Sequence, residues 1–121
     1  MDALAVFGKP LVVHAGGPVS RLLKPLAESG VSGVEGVCGP PQGDATLAQS
    51  RAAAGPNLTL WGGIPQDALT DAWTGDQFEQ AVQHALDDAG DDPRIILGVA
   101  DMVPAVAELE RLEALPGLIR R

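Results

Sequence analysis

The sequence predicts an α/β fold made of four successive βα units around a parallel sheet. Four short apolar runs have the length and composition of buried strands, and each is followed by a turn rich in Gly or Pro and then by a segment of helical period. The predicted strands cover residues 11–14, 33–37, 58–61 and 95–99. Residues 1–121 are predicted to form one domain, because the length suffices for one core and no linker divides the chain.

The first two predicted helices follow the first two strands. In the first, Pro25 removes a backbone donor and should kink the helix or delay its start, and Gly30 should end it. In the second, Asp44 is the predicted N-cap and Gly55 the stop. The apolar face of the first helix is formed by Val19, Leu22, Leu23, Leu26 and Ala27.

The third helix has the strongest pattern. Thr74 is its predicted cap, Gln77 stands three residues on as in a capping box, and Gly90 supplies the stop. The last helix is predicted to begin near Pro104, which suits a first-turn position. The apolar stripe of the third helix comprises Phe78, Ala81, Val82, Ala85, Leu86 and Ala89.

The order of the strands is constrained by the handedness of their connections. Right-handed crossovers would arrange the strands sequentially with every helix on one face, if the sheet curves as it does in a barrel. A doubly wound open sheet is the competing topology. In α/β barrels the loops after the strands gather at one end, where the chemistry takes place. The residues that this arrangement would bring together are His14, Glu35, Cys38, Gln42, Asp44, Trp61, Gln66 and Asp101.

Charge and composition exclude several classes of function. The formal net charge of -8 opposes the basic surface that nucleic-acid binding requires, and few aromatic side chains are present for base stacking. No apolar run approaches the roughly 18 residues of a membrane span, and no secretion signal is evident at the N-terminus. Together with the single cysteine, Cys38, these features predict a cytoplasmic protein without nucleic-acid or membrane partners.

Three stretches in register carry a family resemblance. They are GKPLVVHAGG at 8–17, GDATLA at 43–48 leading into LWGGIP at 60–65, and ILGVADMVP at 96–104. Together they resemble the uroporphyrinogen decarboxylase superfamily, which includes the decarboxylases of haem synthesis and methyltransferases that act on corrinoid proteins. The resemblance implies the C-terminal half of a TIM-type (β/α)8 barrel: four βα units are present, and the N-terminal half of the family fold is absent.

The resemblance also implies what this half lacks. In the decarboxylases, the arginines that bind substrate carboxylates and the key aspartate lie mainly in the other half, and the last strand carries a His where this chain has Ala100. In the methyltransferases, a His-x-Cys pair and a distant Cys hold zinc, whereas this chain has His14-Ala15-Gly16 and again Ala100. We therefore expect no metal, no cofactor and no decarboxylation by this chain alone.

The predicted catalytic residues are His14, Glu35 and Asp101. His14 titrates near neutral pH, and Glu35 interrupts an apolar strand, where it must face the mouth or have a partner. Asp101 could cap the last helix or pair with His14. We expect Cys38 to be an inert thiol and His84 to be a solvated surface group.

The predicted ligand-binding residues follow the other strands. Trp61 could stack on a flat macrocycle, although a core or interface position is common for such a side chain. Asp44 has a stronger explanation as a helix cap than as a catalytic group. Gly62 and Gly63 either allow close approach of a ligand or simply form the turn. The full set is Trp61, Gly62, Gly63, Gln66 and Asp44.

Three functions are compatible with the sequence. The first is a uroporphyrinogen decarboxylase-like half-barrel that binds a tetrapyrrole or another small organic anion at the strand ends. The second is a subunit that pairs with itself or with a complementary half-barrel chain. The third is a cobalamin-dependent methyltransferase-like protein that has lost its zinc site. Unpaired edge strands favour a homodimer, with an apolar core or interface formed by Val12, Val13, Trp61 and Ile96.

Overall fold

The computed structural model describes residues 2–120 and has an α/β fold with an all-parallel sheet. Two predicted strands have the predicted bounds, the first begins one residue later, and the third begins one residue later and ends three residues further on. No helix in the described part of the chain is long and apolar enough to cross a membrane. The strands are β1 (Val12–His14), β2 (Gly33–Val37), β3 (Thr59–Ile64) and β4 (Ile95–Val99). The helices are α1 (Asp2–Val6), α2 (Ser20–Glu28), α3 (Leu47–Ala54), α4 (Gly75–Ala89) and α5 (Leu109–Ile119), with a 3-10 turn at Gln66–Leu69.

The four strands lie in the order β1-β2-β3-β4, with every neighbouring pair parallel. Because right-handed crossovers between sequential strands all pass over the same side, α2, α3 and α4 cover one face of the sheet, and α5, which follows β4, packs beside α4. The order does not reverse within residues 2–120, so the sheet is not doubly wound. Apolar side chains from the sheet and these four helices form one buried cluster, which includes Leu23, Val34, Leu47, Leu60, Ile64, Val82 and Leu115.

Local capping signals locate two of the helices. The prediction for α4 is confirmed: Thr74 and Gln77 form a capping box, and Gly90 is the C-cap. The stop of α3 at Gly55 is also confirmed. The prediction that Asp44 caps α3 is wrong, because Thr46 accepts a hydrogen bond from the amide of Gln49 and the Gln49 side chain returns one to Thr46.

Two helices differ from the sequence prediction. In α2, Pro25 lies inside the helix without delaying its start, and Leu22 points to solvent instead of joining the apolar face. The last helix, α5, begins at Leu109 and not near Pro104. A tertiary contact accounts for the later start, since the amide of Glu108, the N-cap, donates to the carbonyl of Leu69 at 2.7 Å.

Two arginines tie helices to backbone carbonyls. Arg51 of α3 donates to the carbonyls of Leu58 and Arg94, which precede β3 and β4, and it pairs with Asp92 at 2.6 Å. Arg111 of α5 donates to three carbonyls in the segment between β3 and α4, those of Ala68, Thr70 and Trp73. Both guanidinium groups therefore bind several backbone carbonyls at once, with their N–H groups as donors.

The division of the sheet into a covered and an open face can be tested at Leu60. Its side chain is fully buried beneath the helices, so Leu60→Ala should lower the free energy of unfolding by about 2–5 kcal/mol. Urea denaturation measures this loss. Leu22→Ala is the matched control because Leu22 is 51% exposed, and it should change stability by less than about 1 kcal/mol. Equal losses for the two variants would contradict the assignment of faces.

Candidate functional site

The side of the sheet opposite the helices forms an open face. Strand alternation places Val12, His14, Glu35, Trp61 and Ile96 on this face, while Val13 and other alternate residues pack into the core. The relative exposures of Val12, Trp61 and Ile96 are 46%, 40% and 46%. The register sets four of these side chains in one row across the sheet: His14, Glu35, Trp61 and Ile96.

The three predicted catalytic residues lie together at the C-terminal ends of the strands. His14 Nδ1 lies 2.5 Å from Glu35 Oε2, and His14 Nε2 lies 3.1 Å from Asp101 Oδ1. Glu35 Oε1 also accepts a hydrogen bond from the Asp101 amide at 3.1 Å. These contacts, here called the His14 cluster, join β1, β2 and the loop after β4. Of the two interpretations of Asp101, pairing with His14 is therefore the one observed.

The protonation state of the cluster follows from its geometry. Both ring nitrogens of His14 face carboxylates, and only the imidazolium form can donate from both at once. The Glu35 hydrogen bond, with the charges of Glu35 and Asp101, raises the pKa of His14 above its ordinary value of 6.5. One imidazolium and two carboxylates together carry one formal net negative charge.

The backbone at Asp101 has an unusual conformation. Its φ of 73° lies in the left-handed region, which costs energy for a residue other than glycine. This conformation accompanies the two contacts of Asp101, one from its amide to Glu35 and one from its side chain to His14. The second carboxylate oxygen, Oδ2, lies beside Gly16, whose missing side chain leaves room next to it.

Gln42, one of the residues predicted to gather at the strand ends, connects the loops behind the His14 cluster. Its Nε2 donates to the Ala100 carbonyl at 3.2 Å, and its Oε1 accepts from the amide of Gln66 at 2.8 Å. The side-chain Oε1 of Gln66 is buried and has no hydrogen-bond partner among the residues described. The sequence indicates the position of Gln42 but not its contacts, because its partners are backbone groups from other βα units.

The two predicted glycines have packing roles in the structure. Gly62 has a φ of 144°, and a Cβ there would lie 2.2 Å from the carbonyl oxygen of Val37. At Gly63 a Cβ would lie 2.7 Å from Leu47 Cδ1, on the helix side of the sheet. Close strand and helix packing therefore explains both glycines, and their contact with a ligand stays a prediction.

Asp44 lies near the same end of the sheet but in a different role. Its carboxylate accepts from the amide of Ser20 at 3.2 Å and from the Ser20 hydroxyl at 2.5 Å. These hydrogen bonds lower the pKa of Asp44, with a smaller contribution from the charge of Arg21. Asp44 thus supports the first turn of α2 instead of starting α3, which leaves its ligand-binding role as a prediction.

Cys38 and His84 lie outside the His14 cluster. Burial raises the pKa of the Cys38 thiol to about 11, which disfavours the reactive thiolate and supports the interpretation of an inert side chain. His84 is exposed on α4, as expected, and borders a groove of about 260 Å³ between α3 and α4. The groove also borders the loops after β2 and β3, through Pro40 and Pro65, and lies on the helix side of the sheet.

No protein-family model matches the chain, and a search of curated proteins gave no match. Within residues 2–120, no group of three or more His, Cys, Asp or Glu side chains is arranged to hold a metal ion. The open face and the His14 cluster are therefore the features that bear on function.

The raised pKa of His14 predicts a stability that depends on pH. Protonated His14 is bound by carboxylates only in the native state, so its stabilising contribution is complete below about pH 6.5 and is lost as the pH rises through the higher native pKa. The stability difference between the wild type and His14→Gln should therefore shrink from pH 5.5 to pH 8.5. Urea midpoints measured at several pH values within this range provide the test.

Glu35→Gln is the matched variant for this measurement. This substitution keeps the shape of the side chain and removes the charge that holds the imidazolium. The stability difference between Glu35→Gln and the double variant Glu35→Gln, His14→Gln should therefore change less with pH than the difference between the wild type and His14→Gln. A stability difference that grows with pH in the wild-type comparison would contradict the proposed charge state.

Proposed function

We propose that this chain is the C-terminal half of a TIM-type barrel similar to the uroporphyrinogen decarboxylases, and that its open face forms one wall of a binding site for a tetrapyrrole-like ligand. The observation that best supports this proposal is the His14 cluster at the strand ends, in one row with the exposed Trp61. Sequential parallel strands with helices on one face are the arrangement that half of such a barrel requires.

The open face has both an apolar surface and a hydrogen-bond acceptor, which suit a ligand whose ring carries N–H groups. Trp61 provides a large apolar surface on which a flat heterocycle can stack. Asp101 Oδ2, in the space beside Gly16, is an acceptor for a ring N–H. Because the cluster carries a net negative charge, ligand carboxylates should point away from it, toward the rim. Arg21, in the first turn of α2 and close enough to affect Asp44, supplies a positive charge there.

His14 is the proton-exchanging group in this proposal. Its contact with Asp101 is longer than its contact with Glu35, and the Asp101 side chain is more exposed than that of Glu35, at 36% against 18%. A ligand can therefore take the place of Asp101 at Nε2 while Glu35 keeps Nδ1 and fixes the ring orientation. His14 then acts as general acid or base at Nε2, and Glu35 acts as a positioning residue.

The proposed activity of this chain is binding with proton exchange, and not complete decarboxylation. None of the ion pairs among the described residues links a Lys or Arg to the His14 cluster, and Arg51 and Arg111 are engaged elsewhere. A methyltransferase-like role has less support, because Gly16 and Ala100 stand where the resemblance implies zinc-binding thiolates.

Calorimetric titration with uroporphyrin tests the proposal. We expect measurable binding, which Trp61→Ala should weaken about 2- to 10-fold, since aromatic stacking contributes about 0.5–1.5 kcal/mol. Asp101→Asn should also weaken binding, because it removes an acceptor charge beside the ring. Leu22→Ala, on the helix layer, is the control and should leave the affinity unchanged. Absence of binding, or an affinity that is indifferent to Trp61→Ala, would refute the proposed site.

A further inference from the structure

We infer that a second copy of this chain closes the open face, with β1 of each copy lying beside β4 of the other. The inference rests on the proposed half-barrel and names the partner of that same site. Among the described strands, β1 pairs with β2 alone and β4 pairs with β3 alone, so each has a free edge. Free edges of this kind readily pair with another chain.

The two edges are geometrically complementary. In a sequential parallel sheet, the free edge of β1 and the free edge of β4 face opposite directions, so β4 of one copy is followed naturally by β1 of the next. A two-fold axis along the barrel produces this joint twice. Four strands from each copy then give eight, the number at which side chains fill the interior of a parallel barrel.

Exposed apolar side chains concentrate near these edges. Apart from Trp61 and Leu22, the large exposed apolar residues in the described chain fall in two segments, one leading into β1 and one running from β4 to α5. Apolar groups clustered in this way mark interaction surfaces. The first segment contributes Leu4, Val6, Phe7 and Val12, and the second contributes Ile96, Met102, Val103, Val106 and Leu109.

The charges around the two segments differ. Residues 2–28 contain three basic side chains, Lys9, Arg21 and Lys24, against two acidic ones, Asp2 and Glu28, and Lys24 already pairs with Glu28. Residues 87–113 contain eight Asp or Glu against two Arg. Pairing the β1 side of one copy with the β4 side of the other therefore brings basic and acidic surfaces together, which favours this orientation over pairing like edges.

The second copy also completes the binding site. One copy alone lines the ligand on a single side, with one Trp61 and one His14 cluster. In the closed pair, the C-terminal strand ends of both copies meet at one mouth, and each copy contributes its own Trp61 and His14 cluster to a shared interior.

Light scattering after size-exclusion chromatography, over a dilution series without ligand, tests the inference. We expect twice the monomer mass at high concentration. Ile96→Lys places a charge on the open face and should raise the dissociation constant at least tenfold. Ala52→Lys adds the same charge to an exposed position on α3 and should have no effect. Circular dichroism checks that each variant is folded.

A charge exchange provides a second test that does not rely on disruption alone. Lys9→Glu should weaken association, and so should Glu110→Lys, whereas the two changes together should restore it. A folded wild-type monomer at every concentration, or association that is indifferent to Ile96→Lys, would overturn the second-copy inference. Either result would leave the uroporphyrin titration, and therefore the proposed function, to be judged separately.

Discussion

The direction of the βα crossovers is the constraint on which the other features depend. Because the strands are parallel and sequential, the helices cover one face of the sheet. The C-terminal ends of all four strands therefore lie at the same end of the sheet. The uncovered face then explains why Val12, Trp61 and Ile96 are exposed although they belong to strands. The loop after β4 brings Asp101 to His14 of the first strand.

Glu35 links this architecture to chemistry. A carboxylate within an apolar strand is costly unless it is hydrogen-bonded, and here one oxygen faces the imidazole of β1 while the other accepts the Asp101 amide. The same contacts connect the two outer strands and hold an ionisable ring at an accessible position. Structural support and acid-base chemistry are therefore provided by one set of atoms, with Asp101 held in a left-handed conformation to complete it.

Local sequence signals predicted the strands, the capping box of α4 and the stops at Gly55 and Gly90. They were less informative where distant residues decide the outcome. Asp44 resembles a cap for α3 but binds Ser20 of α2. The predicted catalytic residues do lie together, yet their pairing depends on strand register and on the backbone at Asp101. Gln42 was expected at the strand ends, but its contacts could not be predicted because it binds backbone groups that lie far away along the chain.

The geometry at the open end of the sheet requires an imidazolium between two carboxylates. Nitrogen-15 NMR of the His14 ring at pH 6.5 can detect this ion, since nitrogen shifts distinguish protonated from unprotonated ring nitrogens. Both nitrogens should be predominantly protonated, and Glu35→Gln and Asp101→Asn should each reduce the protonated fraction. A predominantly neutral ring, with shifts unaffected by either substitution, would contradict it.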